Sequence, residues 1–154
     1  MSKQNISILL AENHHSSFEA IKTNLTNLNE AKYKFDVVKT GKDVLERADR
    51  NKFDLVLMKL ALLDTTGIKV LDEITRRKME MPVIMIVDGN QEHLGVEAMD
   101  RGAYDYLTED EIKTAALGRA IRRAVQRKKL EDDIKDSLKK LEKMVIKDGL
   151  TGLF

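Results

Sequence analysis

Five short apolar runs punctuate the chain: 6–11 (ISILLA), 35–38 (FDVV), 53–58 (FDLVLM), 82–87 (PVIMIV) and 103–107 (AYDYL). Each is strand-sized and bounded by polar residues or glycine. Continuous apolar runs of this length suit strands of a parallel sheet covered on both faces. Between them, apolar residues recur at helical spacing. Phe18, Ile21, Leu25 and Leu28 follow a candidate cap at Ser16 or Ser17. Val44, Leu45 and Ala48 follow Thr40 and Gly41. Ile68, Leu71 and Ile74 follow Gly67, and Leu94, Ala98 and Met99 precede Gly102. Thr108 and Glu111 form a T-x-x-E capping box for a further helix. Strand and helix thus alternate five times, which predicts an α/β fold: a doubly wound parallel sheet with right-handed crossovers.

In such an open sheet, ligands bind beyond the carboxyl ends of the strands. The residues that follow each run are therefore expected to converge on one crevice. Glu12, Asn13, His14 and His15 follow the first run, and Lys59 follows the third. The fourth ends in Val87, before Asp88 and Gly89. Thr108, Glu109 and Asp110 follow the fifth. Lys59 is the anomaly, because lysine is rarely buried unless paired. It either snorkels to solvent from the strand end or is answered by the carboxylates of Glu12 and Glu109.

Across residues 4–126 the sequence resembles the receiver domain of bacterial two-component response regulators. ISILLAEN resembles the opening strand and acidic turn, and DLVLMKLALLDTTGIKVL the third strand, loop and helix. PVIMIVDGN and EAMDRGAYDYLT resemble the fourth and fifth strands with their surroundings. The resemblance implies a flavodoxin-like sheet of order 2-1-3-4-5, and it implies chemistry this chain lacks. Receivers place two acidic residues after strand 1 to help bind magnesium; here stand Glu12 and Asn13. Their phosphoacceptor aspartate is matched by Lys59, their strand-4 hydroxyl residue by Val87, and their strand-5 lysine by Glu109. Lysine forms no aspartyl phosphate, valine offers no hydroxyl, and Glu109 repels phosphate. Magnesium prefers a hard site built around carboxylates, so the family's metal site is expected to be lost and no cofactor remains. The charges of the strand-3 and strand-5 positions are exchanged, which keeps a cross-crevice ion pair available. Tyr106 resembles the receiver's aromatic switch; with Val87 beside it, static packing is the expected role. Asp64 and Asp88 are alternative phosphoacceptors, though neither stands at the matching strand end.

From residue 111 the helical pattern does not stop. Neither proline nor glycine interrupts 119–148, and Leu130, Ile134, Leu138, Leu141 and Val145 form a stripe at spacings of four, four, three and four. The stripe predicts a linker helix over 127–147 that pairs as a short parallel coiled coil, making the chain a homodimer. The alternative is an amphipathic helix folded back on the domain. The final stretch, DGLTGLF (148–154), resembles the opening of GGDEF domains, which make cyclic di-GMP. It implies an attached output domain of which only the first residues are present, so this chain itself is not expected to be an enzyme.

The charge balance reverses at the tail. Residues 1–110 carry 15 Lys+Arg against 19 Asp+Glu, and residues 111–154 carry 12 against 7. Arg119, Arg122, Arg123, Arg127, Lys128 and Lys129 are clustered, but acidic residues follow at once and aromatic interleaving is absent. A solvated helix face is expected, not a nucleic-acid surface. The chain has no cysteine, which rules out disulfides and thiolate metal sites. His14, His15 and His93 in polar turns read as solvated, so no metal site is expected. With neither a signal peptide nor a membrane-length apolar run, a cytoplasmic protein is expected. The sequence thus reads as a regulatory module that controls its output domain through the terminal helix, with an upstream protein as a candidate partner. The competing readings are a receiver phosphorylated at a non-standard residue and a purely structural dimerisation module.

Overall fold

The structure is a computed structural model; it describes residues 4–148, with side chains through residue 144. Five parallel strands form one sheet in the order β2-β1-β3-β4-β5. They are β1 (Asn5–Ala11), β2 (Lys32–Val38), β3 (Leu55–Lys59), β4 (Val83–Val87) and β5 (Asp105–Thr108). The helices are α1 (His15–Leu28), α2 (Gly41–Arg50), α3 (Gly67–Arg76), α4 (Glu92–Asp100) and α5 (Ala115–Asp148). Alternating side chains explain why the strands read as unbroken apolar runs. Leu9, Val56, Met58 and Met85 pack with Val44, Val70, Leu71 and Ala98 on the α2–α4 side. Ile8, Leu10, Leu55, Leu57 and Ile84 pack with Ile21, Leu25, Leu117 and Ile121 on the α1–α5 side. Both faces are covered, so neither set tolerates polar interruption.

Helix starts follow the capping chemistry of the sequence, with two corrections. Thr40 and Thr66 accept backbone N–H groups of Asp43 and Lys69 and so open α2 and α3. Helix α1 starts earlier than expected: its N-cap is His14, without a side-chain cap bond, and Ser16 and Ser17 lie inside the first turn. The expected box at the end of β5 forms reciprocally, Thr108 N–H donating to Glu111 and Glu111 N–H to Thr108 Oγ1. It opens only a 3₁₀ turn, Glu111–Lys113, and α5 begins at Ala115. Asn24 explains the break: its amide donates to the carbonyls of Ile112 and Thr114, both at 2.8 Å, and so holds the turn against α1.

Helix α5 runs unbroken for 34 residues, about 50 Å at 1.5 Å per residue. Its first turns are core: Leu117, Ala120, Ile121 and Ala124 are buried. Leu130, Ile134, Leu138, Leu141 and Met144 are each more than half exposed. This outer row lies roughly a quarter turn round the helix from the buried one. Val145, the last member of the expected stripe, and the GGDEF-like residues 149–154 lie outside the described side chains and residues respectively. Among the described residues, no helix is long and apolar enough to cross a membrane.

Candidate functional site

Strand register brings the crevice together. Ala11 pairs with Met58, so the next residues, Glu12 and Lys59, emerge side by side from β1 and β3. Lys59 pairs with Ile86, and Val87 with Thr108. Glu109 follows Thr108 and donates its backbone N–H to the Val87 carbonyl at 3.0 Å. Glu12 is tied in the same way to the Val38 carbonyl. Three strand ends thus place three charged side chains by backbone bonding alone.

The ammonium of Lys59 lies 3.5 Å from Glu12 Oε1 and 3.3 Å from Glu109 Oε1. The three side chains are 14%, 0% and 28% exposed respectively. Lys59 therefore does not snorkel into bulk water. Burial is the largest single influence on its pKa and lowers it. The two carboxylates together outweigh burial, leaving the pKa above the usual lysine value. The trio carries two negative charges and one positive. Glu12 Oε1 also accepts the His14 N–H at 3.0 Å. Glu12 Oε2 and Asn13 Oδ1 are buried without a hydrogen-bond partner among the described residues; Glu109 Oε1 meets Lys59 at ion-pair range without hydrogen-bond geometry. Among the described residues, the crevice thus gathers several acceptors around the Lys59 ammonium.

Other residues expected around the crevice take different places. Val87 is buried in the α2–α4 core. Asp88 forms a capping box with Gln91 at the turn leading into α4. Asp64 accepts the backbone N–H groups of Gly41 and Lys42 at 2.7 and 3.2 Å. The Gly41 bond above all holds its carboxyl below the usual range. His15 pairs with Glu19 on the exposed face of α1. Among the described residues, no group of three or more His, Asp or Glu is placed to hold a metal ion. Tyr106 packs against the core beside α4, its ring so close to Gly95 that an added Cβ there would sit 2.5 Å from it. Gly95 is a partner the sequence did not single out. In the basic cluster of α5, Arg119, Arg122, Arg123, Arg127 and Lys129 are exposed and Lys128 is half-buried; Arg122 pairs with Glu30, Lys128 with Asp132 and Glu80, and Arg127 lies over the Tyr104 ring.

Comparisons with known proteins agree with this architecture. The family model for the response regulator receiver domain matches residues 8–122. The regulatory protein LuxO of Vibrio cholerae is 32% identical over 102 residues, spanning 64% of this chain and 22% of that protein. The response regulator ArlR of Staphylococcus epidermidis is 30% identical over 129 residues, spanning 84% of this chain and 56% of that protein. This chain therefore covers only part of the length of such relatives. The solved receiver domain of a LuxO-type repressor from Vibrio parahaemolyticus superposes with a TM-score of 0.71 at 27% identity, covering 84% of this chain and 97% of that one. On the strength of these matches and of the five-stranded parallel sheet, the chain belongs to the response regulator receiver domain family of two-component signalling.

Proposed function

We propose that this chain is a receiver that works without aspartyl phosphate. The observation that carries the reading is Lys59, whose ammonium stands at the end of β3 between Glu12 and Glu109. An ammonium there accepts no phosphoryl group from a donor under the family's chemistry, and Glu109 supplies no positive charge to clamp one. Magnesium needs near-octahedral oxygen ligation at about 2.0–2.1 Å. The donors here do not fit it: an ammonium occupies the space between the carboxylates, and Asn13 contributes an amide in place of an acid. Lys59 takes over the metal's electrostatic task and neutralises the strand ends itself.

The output runs through α5. Its exposed row from Leu130 to Met144 pairs with a second copy, and the dimer sets the spacing of the attached C-terminal domain. The D-x-L-T-G-L stretch at 148–153 favours a diguanylate cyclase for that domain, an activity of the longer protein and not of this chain. The input is then a protein partner or a change at the crevice, not a phosphoryl transfer. Asp64 is already engaged by two backbone N–H groups, which argues against it as a substitute acceptor.

The test is incubation with acetyl phosphate and magnesium, followed by intact mass. No phosphoryl adduct is expected on the wild-type chain, whereas Lys59→Asp together with Glu109→Lys restores the family's two residues and gives a measurable adduct. A stoichiometric adduct on the wild type contradicts the reading.

A further inference from the structure

The domain grips α5 beyond its buried face. Past Ala124, Val125 is only partly buried against the core, yet the helix is held for three more turns by polar contacts. Tyr104, just before β5, donates its hydroxyl to Glu131 at 2.7 Å. The Arg127 guanidinium lies 4.1 Å from the centre of the same ring and 3.3 Å from Glu131. On the neighbouring side, Glu80, in the loop before β4, receives Lys135 at 2.5 Å and Lys128 at 3.9 Å. Tyr104 and Glu80 thus bracket the helix from two elements.

A single exposed ion pair holds little. Here the contacts fall between residues 127 and 135 of one rigid helix, so what they fix is its direction. Tyr104 also sits at one end of β5, and Glu109 follows the other end. Only four residues, Asp105–Thr108, separate the two, and they form an edge strand bonded to β4 alone. The crevice pair and the helix bracket are therefore opposite ends of one short strand that has a single partner in the sheet and packs on α4 and α5 through Tyr106 and Leu107.

We propose that Tyr104 and Glu80 are positioning residues that set the angle at which α5 leaves the domain, and that β5 couples this angle to the Lys59–Glu109 pair. The inference rests on α5 being the output lever and supplies its regulation. When Glu109 is released from Lys59, the carboxyl end of β5 keeps its backbone bond to Val87 but loses its side-chain tie to β3, and Tyr104 shifts under Glu131. The arm from Ala124 to Lys139 is about 22 Å long, so a rigid swing of about 15° moves its tip by about 6 Å.

The chain has no native cysteine, so spin labels at Lys34→Cys and Lys139→Cys, both exposed positions, report on those two sites alone. Labelled chain is diluted into excess unlabelled chain, and the intramolecular distance distribution is read by pulsed electron resonance. Tyr104→Phe with Glu80→Gln is expected to broaden the distribution. Glu109→Gln is expected to shift or broaden it by several ångströms, although it lies at the far end of β5. Thermal melts confirm that each variant is folded, and Tyr104→Phe alone serves if the double variant is not. An unchanged distribution in the bracket variant overturns the positioning role. An unchanged distribution in folded Glu109→Gln overturns the coupling. Neither outcome depends on whether acetyl phosphate modifies the chain or on whether α5 dimerises, so failure here is separable from failure of the functional reading.

Discussion

Lys59 is a buried-side cation whose stability contribution comes from two carboxylates, and that dependence gives it a recognisable pH signature. Removing one member of a buried pair leaves its partners uncompensated, which costs roughly 3–5 kcal/mol when all are fully buried. Glu109 is 28% exposed, so Lys59→Met is expected to cost about 2–3 kcal/mol at neutral pH, below that fully buried range. Because the folded-state pKa of Lys59 is raised, its stabilisation is complete below the unfolded lysine value of about 10.4 and fades as pH rises through the folded value. Urea unfolding of wild type and Lys59→Met is therefore expected to show a constant gap between pH 7 and about pH 10 that narrows above it. A gap that stays flat through strong alkali contradicts the ion-pair account. Gly95 is a second residue with a definite requirement. A Cβ there would overlap the Tyr106 ring, 2.5 Å away, so Gly95→Ala must displace an aromatic that packs on the core. Overpacking of this kind costs typically 1–3 kcal/mol. It should appear as a lowered thermal midpoint, and replacing Tyr106 with Leu in the same chain should recover part of the loss.

At the scale of the element, α5 is one continuous helix with two kinds of surface. Leu117, Ala120, Ile121 and Ala124 belong to the core, and Gly118 lets the helix approach α1 so closely that an added Cβ would sit 2.6 Å from Leu28. Leu130, Ile134, Leu138 and Leu141 belong to no core cluster among the described residues. A row of large exposed apolar residues at helical spacing marks an interaction surface. Leu138→Glu is expected to weaken self-association at least about tenfold, equivalent to ~1.4 kcal/mol, as measured by sedimentation across a concentration series. It should leave the unfolding of the domain nearly unchanged, because Leu138 is 56% exposed and belongs to neither core cluster among the described residues. Equal sedimentation of mutant and wild type at every concentration would contradict the proposed pairing through α5.

For the whole molecule, the sheet was legible in the sequence because a doubly covered parallel strand must be apolar at every position, as LVLM in β3 and VIMIV in β4 are. The helix faces were legible from their 3.6-residue period. Boundaries were not: nothing local announces that Asn24 will hold the β5–α5 junction open, since its partners lie 88 and 90 residues away. In the crevice, Glu12, Lys59 and Glu109 could be named because strand ends of a parallel sheet share one edge. Tyr104 and Glu80 could not, because their partners Glu131 and Lys135 come from a helix whose path over the domain depends on tertiary packing. In the proposed mechanism the same long-range contacts link the crevice to α5. In that mechanism Lys59 carries the positive charge of the crevice, and titration of its own ammonium tests this most directly. Selective ¹⁵N labelling of lysine side chains, with Lys59→Arg to assign the signal, follows each Nζ by nuclear magnetic resonance from pH 8 to 12. Lys59 is expected to titrate above the exposed lysines, and Glu109→Gln to lower its midpoint. A midpoint at or below that of the exposed lysines, unmoved by Glu109→Gln, contradicts that role.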